Sequence, residues 1–274
     1  LLTRGHDTGD ESQQIPELRP SVSPDLQSFT IWETLANTIA DPNLTLFMVQ
    51  DEAHRGFNTT VTRDNAAELP DVLRRVHDLG AGLWSVFFLV PTGRGSELAP
   101  LGAHEVEQVL HWLHEVSGVV AIKTTEAPHF RRVVIERSAA GEGAGGAGVP
   151  PLGELHARLR AATATRFGDV ERRVERRRRP PLDVNAGRGF VFVDHLGNVY
   201  PSGFLPERVG SVREAPLSTI YRTAPLLRAL RDPDRLGGRC GTCRYRDVCG
   251  GSRSHAHAVS GDPLAEDPTC TYPG

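Results

Sequence analysis

Four cysteines are the whole thiol complement of this 274-residue chain, and they stand as Cys240-x2-Cys243-x5-Cys249 with Cys270 following after 20 further residues. Four thiolates make a full ligand set for one metal centre, with none left over. The short C-x2-C turn aims two of them at one point, and residues 244–248 suffice for a turn of helix that returns Cys249 to the same side. Gly250 and Gly251 follow at once. Lacking a Cβ, they let the backbone pass close to a bulky inorganic core and aim amides at its sulfur. Arg244 and Arg246 would offset the charge of the thiolates.

Three chemistries use cysteines in this way. A 4Fe-4S cluster is the favoured one, because uneven spacing with a remote fourth ligand is common for such centres. Structural zinc more often takes two short Cys-x2-Cys knuckles or Cys and His pairs. Disulfides need an oxidising compartment. With neither a secretory leader nor an apolar run long enough to span a bilayer, the chain is expected in the cytoplasm. The zinc and disulfide readings remain the alternatives.

With 39% hydrophobic and 24% charged residues, the chain suits one large or two small globular units with a real core. A net charge of -3 gives no case for nucleic acid or an anionic membrane as a partner.

Residues 1–50 are polar and proline-bearing at first and are expected to be partly disordered. Alternation over 57–62 predicts a strand. Asp64 and Asn65 can cap a helix carrying Leu69, Val72, Leu73, Val76 and Leu79 at helical spacing, with Gly80 as its stop. The nearly continuous apolar run 83–90 predicts a strand buried on both faces in a parallel sheet. A helix over 104–116 and a strand over 119–124 follow. Strands alternating with helices argue for parallel α/β packing.

The run 139–148 is glycine and alanine with one glutamate, and it lacks the lysine and hydroxyl of a phosphate-binding loop. It reads as a linker, as does the basic stretch 171–179, which has no interleaved aromatics. Phe190, Phe192, Val199 and Tyr200 flank a glycine-bearing turn from Asp194 to Asn198, the pattern of a hairpin. Short helices over 217–230, broken at Pro225, lead to Cys240. His129, His255 and His257 read as structural or surface residues, the last two near the cysteines without binding metal.

The segment CGTCRYRDVCGG with SGDPLAEDPTC resembles the auxiliary-cluster tail of radical S-adenosylmethionine (radical SAM) proteins, the SPASM domain, or twitch domain when it holds one cluster. Ser260 stands where threonine is usual in that pattern. Residues 57–95 look like the later strand-helix-strand part of the radical SAM barrel, and 188–213 like the hairpin opening the tail. The chain is similar to the haem-maturation and peptide-modifying members of that family. The resemblance implies an α/β fold: a partial (β/α) radical SAM-type barrel at 51–137, a linker at 138–184 and a small α+β SPASM/twitch domain at 185–274. It implies one auxiliary 4Fe-4S cluster on Cys240, Cys243, Cys249 and Cys270, relaying electrons or anchoring substrate.

The departures from the family are equally specific. The catalytic cluster of radical SAM proteins needs a CxxxCxxC loop, which this sequence does not contain, and four cysteines cannot build two clusters. The chain is therefore expected to be a truncated or degenerate member, or one part of a protein completed elsewhere, with S-adenosylmethionine bound only in the completed protein. In the family, polar residues on and after the barrel strands help hold that cofactor, so the resemblance makes Asn58, Thr60 and Arg94 the candidates by position. A small-molecule or peptide substrate and an electron-donor protein are the partners implied. A non-catalytic iron-sulfur or zinc module is the other reading.

Overall fold

A computed structural model describes residues 56–139, 152–167 and 184–273. The expectations for 1–50, for most of the glycine-rich run and for the basic run 171–179 fall outside the described residues.

The first unit is built on three parallel strands, β1 (Gly56–Val61), β2 (Leu83–Phe88) and β3 (Ala121–Thr125), in the order β1-β2-β3. Helices α1 (Leu69–Asp78) and α2 (Ala103–Val116) make the connections. Their buried residues, Leu69, Leu73 and Val76 in α1 and Val106, Val109, Leu110, Leu113 and Val116 in α2, fall on one helical stripe each. That stripe packs against Val61, Trp84, Val86 and Phe88, with Trp84 and Trp112 meeting edge to face at 6.1 Å. Gly80 ends α1 in the left-handed conformation at φ +64°. Asn65 does not cap α1. Its Oδ1 accepts from the Thr62 N–H at 2.9 Å and its Nδ2 donates to Thr60 O, turning the chain into a short 3-10 segment ahead of Leu69.

The register pairs Asn58 with Ser85 and Ser85 with Lys123, and Thr60 with Phe87 and Phe87 with Thr125. Side chains paired this way share a face, opposite the one that carries the helices. Asn58, Thr60 and Lys123 are exposed on it. A mixed α/β unit with a parallel sheet and helices on one face fits part of a radical SAM-type barrel.

Two further helices, α3 (Phe130–Ala139) and α4 (Glu154–Phe167), have no counterpart in the apolar periodicity. Helix α4 lies inside 138–184, which the resemblance assigns to linker. It is packed structure: Leu159 is fully buried, Thr163 Oγ1 accepts from Trp112 Nε1 at 3.0 Å, and Arg166 pairs with Asp71.

The second unit begins near Asn185 with an antiparallel sheet of β4 (Phe192–Val193), β5 (Asn198–Tyr200) and β6 (Gly210–Ser211). The hairpin turn is fixed by Asp194, whose Oδ1 accepts from the N–H groups of Leu196 and Asn198, and by Gly197 at φ +84°. Strand β6 adds a third member to the expected pair. Helices α5 (Leu217–Thr223) and α6 (Pro225–Leu230), interrupted before Pro225, close a core of Val199, Leu205, Ile220, Leu227 and Leu230 over this sheet. The short α7 (Gly238–Thr242) and then α8 (Arg253–Ser260) carry the chain through the cysteines. No helix among the described residues is long and apolar enough to cross a membrane.

Candidate metal centre

Cys240 sits in α7, and Cys243 just beyond it turns into extended backbone. The five residues that follow form one tight turn, with Arg246 N–H donating to Cys243 O and Cys249 N–H to Tyr245 O at 2.8 Å. That turn carries Cys249 back beside Cys240. Gly250 and Gly251 are both left-handed, at φ +67° and +64°. A Cβ on Gly251 would stand 2.9 Å from Cys240 Sγ and 2.7 Å from Asp267 Cβ, so only glycine fits. Asn185 Nδ2 holds this loop by donating to Cys249 O and Gly251 O. Cys270 arrives on a turn closed by Asp267 O, and Arg239 donates to its carbonyl at 2.9 Å.

The four cysteines are free thiols and all line one cavity, with His129, Arg132, Arg239, Asp267 and Tyr272 completing much of its wall. N–H groups point at the sulfurs: Tyr245 N to Cys243 Sγ, Gly251 N to Cys249 Sγ and Asp267 N to Cys240 Sγ, each at 3.4 Å. Such donors stabilise negative charge on sulfur. Burial pushes the Cys249 thiol up to about 12 and the Cys270 thiol to about 11. Without metal these thiols keep their protons at neutral pH, so loading a metal group must release them. Among the described residues, no group of three or more His, Cys, Asp or Glu side chains is arranged to hold a single metal ion.

The cavity lies where the two units meet. Glu126, directly after β3, has a positive φ of 59° and accepts from Ser252 Oγ at 2.6 Å. Burial pushes its carboxyl above the ordinary range. Ser252 caps α8 by accepting from His255 N, while its own N–H donates to Asp267 Oδ2 at 2.6 Å. His255 Nε2 donates to Leu89 O at 2.9 Å, at the end of β2, and Arg131 on α3 donates to Val248 O. The N-terminus of α8 is thereby fastened to the ends of β2 and β3.

The structure brings together all four cysteines expected to bind metal. It does not bring Asn58 or Thr60 to them: both lie on the helix-free face of β1, away from the cavity. Arg94 lies in the 3-10 turn Gly93–Glu97 after β2, and its side chain is outside what is described. Arg244 stacks on the Tyr245 ring instead of facing the thiols, and Arg246, though at the cavity, pairs with Asp234. The cations at the thiols that spacing did not single out are Arg132 and Arg239 in the cavity wall and Arg253, which reaches Cys240 Sγ. Arg239 is raised above its ordinary value, chiefly by its hydrogen bond to Glu266. His129 is fully buried at the cavity, and His255 is buried against β2.

No protein-family model matches the chain. It is 36% identical over 217 residues to the AdoMet-dependent heme synthase of Methanosarcina barkeri, covering 78% of this chain and 55% of that protein. The AdoMet-dependent heme synthase of Oleidesulfovibrio alaskensis is 35% identical over 230 residues, 82% of this chain and 53% of that protein. The pre-heme d1 synthase of Dinoroseobacter shibae is 30% identical over 220 residues, 78% of this chain and 51% of that protein. The chain thus spans about half the length of these relatives.

Proposed function

This chain is a radical SAM-family protein related to haem maturation, and on that premise we propose that its C-terminal unit, 185–274, is a SPASM/twitch domain holding one auxiliary 4Fe-4S cluster on Cys240, Cys243, Cys249 and Cys270. The observation that carries the reading is the placement of all four thiols around one cavity lined by sulfur-directed N–H groups. Uneven spacing with a remote fourth thiol favours a cluster over structural zinc, which more often takes two short Cys-x2-Cys knuckles or Cys and His pairs.

A bound cluster supplies one-electron transfer. The chain's residues shape that role. With four protein thiols available, such a cluster would have no open iron, which favours relaying electrons over anchoring substrate. Gly251 would admit the core, Arg132 and Arg239 would offset its charge, and the Ser252–Glu126 and His255–Leu89 contacts would keep the site at the strand ends. Asn58, Thr60 and Arg94 are proposed to contact S-adenosylmethionine in the completed barrel. The completed protein would then carry out S-adenosylmethionine-dependent radical chemistry in haem synthesis, with an electron-donor protein as partner. The CxxxCxxC cluster of that chemistry is assigned to no residue of this chain.

The test is anaerobic purification and reconstitution, with iron, acid-labile sulfide and zinc analysis. About four irons and four sulfides per chain are expected, falling in Cys243→Ala and Cys270→Ala. Stoichiometric zinc without sulfide overturns the proposal.

A further inference from the structure

His129 ends the connection from β3 to α3, its side chain is 0% exposed, and it lines the cavity of the four cysteines. Neither of its ring nitrogens has a hydrogen-bond partner. The nearest carboxylate is Asp267, whose Oδ2 lies 3.7 Å from Nδ1, beyond hydrogen-bond reach. Asp267 is already served by the N–H groups of Ser252 and Thr269 and by the Thr269 hydroxyl. An imidazole always carries at least one N–H, and leaving it unmade in a dry interior costs about 1–3 kcal/mol. Arg132, one turn along α3 on the same face, has the same property: Nη1 and Nη2 are taken by Glu136 and Glu107, while its buried Nε has no partner. Two buried, unanswered donors from one helix turn therefore stand at the wall of one cavity.

We propose that His129 donates a hydrogen bond to the sulfur of the cluster held in this cavity, with Arg132 Nε supporting it from the next turn. This rests on the cluster reading above. His129 is a positioning residue: the cysteines hold the cluster, and α3, which belongs to the barrel unit, sets its electronics. A hydrogen bond to sulfur favours the reduced, more negative state and raises the reduction potential. Through this bond the unit at 51–137 would tune a centre whose ligands all come from the other.

The experiment is an EPR-monitored redox titration of the reconstituted chain, wild type against His129→Leu, His129→Asn and His129→Gln, at equal iron and sulfide content. The expected result is a lower potential in His129→Leu, restored by whichever amide places an N–H where the imidazole had it. An unchanged potential in His129→Leu overturns the proposal, and so does a fall that neither amide restores. Should the leucine variant not fold, pulsed EPR of the wild-type reduced chain with 15N-histidine decides the matter: a weak imidazole coupling is expected, and its absence overturns the hydrogen bond. A wild-type chain that takes up no iron and sulfide sinks the cluster reading itself; a loaded one with an unresponsive potential sinks only the role of His129.

Discussion

Arg253 Nη2 lies 3.5 Å from Cys240 Sγ, and the rest of the same guanidinium is committed to three carbonyls: Nε to Gly251 O, and Nη1 to Pro263 O and Ala265 O. At 1% exposure, this arginine is wholly inside the fold. Its planar fork ties the Gly-Gly loop, the first cysteine and the 263–265 turn that leads to Cys270. Lysine cannot copy that geometry. Arg253→Lys is expected to cost on the order of 2–4 kcal/mol, by leaving buried carbonyls unanswered, and to lower bound iron with it. Thermal melting with iron analysis checks both; a variant with unchanged melting and iron would show that the fork is not needed.

Gly250 and Gly251 share a left-handed backbone but not a neighbourhood. A Cβ at Gly250 would meet nothing nearer than 3.5 Å, while one at Gly251 would press on Cys240 Sγ, Asp267 Cβ and the Arg253 guanidinium. Gly250→Ala should therefore cost only the conformational strain, about 1 kcal/mol, and keep its iron. Gly251→Ala should lose most of its iron. Equal iron in the two variants would remove the steric argument.

Ser252 Oγ does two things at once, accepting from His255 N at the start of α8 and donating to the buried Glu126 carboxyl. Ser252→Ala removes a helix cap, worth about 1 kcal/mol, and a hydrogen bond to a buried acid, worth roughly 1–3 kcal/mol. The expected loss is on the order of 2–3 kcal/mol, seen as a lower urea midpoint. Ser260→Ala, which removes a partly exposed hydroxyl bonded to Ala256 O, should cost well under half of that.

The strands other than β6, helices α1 and α2, and the cysteine tail are legible because each leaves a local mark: alternation, an apolar stripe, a glycine stop, a ligand spacing. Helices α3 and α4 leave none, since polar residues make up half or more of what they bury. On α3 the buried face carries Arg132 and Arg137, and on α4 it carries His156 and Thr163. Glu115 of α2 gathers three partners from these helices, Arg137, His156 and Arg160. Hydrophobic periodicity reports a helix only when its core face is apolar. The site divides in the same way. Four thiols in a short segment announce themselves, whereas His129 and Asp267 are far apart in the chain and meet only once the second unit docks on the strand ends.

Glu107 of α2 offers the clearest handle on pH. Burial alone would push its carboxyl up, but hydrogen bonds with His111 and Arg132 prevail and hold it at about 2, against an ordinary value of 4.5. The folded pKa is depressed, so the unfolded chain takes up this proton first as pH falls. The stabilisation is therefore complete above about pH 4.5 and is lost between there and about pH 2. At 1.36 kcal/mol per unit, the shift corresponds to on the order of 3 kcal/mol. Glu107→Gln should lower stability at pH 7 by up to about that amount, since the Arg132 charge stays buried with one counter-ion fewer. The gap between wild type and variant should then narrow as the urea midpoint is followed down through pH 4 and 3. A gap of constant size across that range would place the acid sensitivity elsewhere.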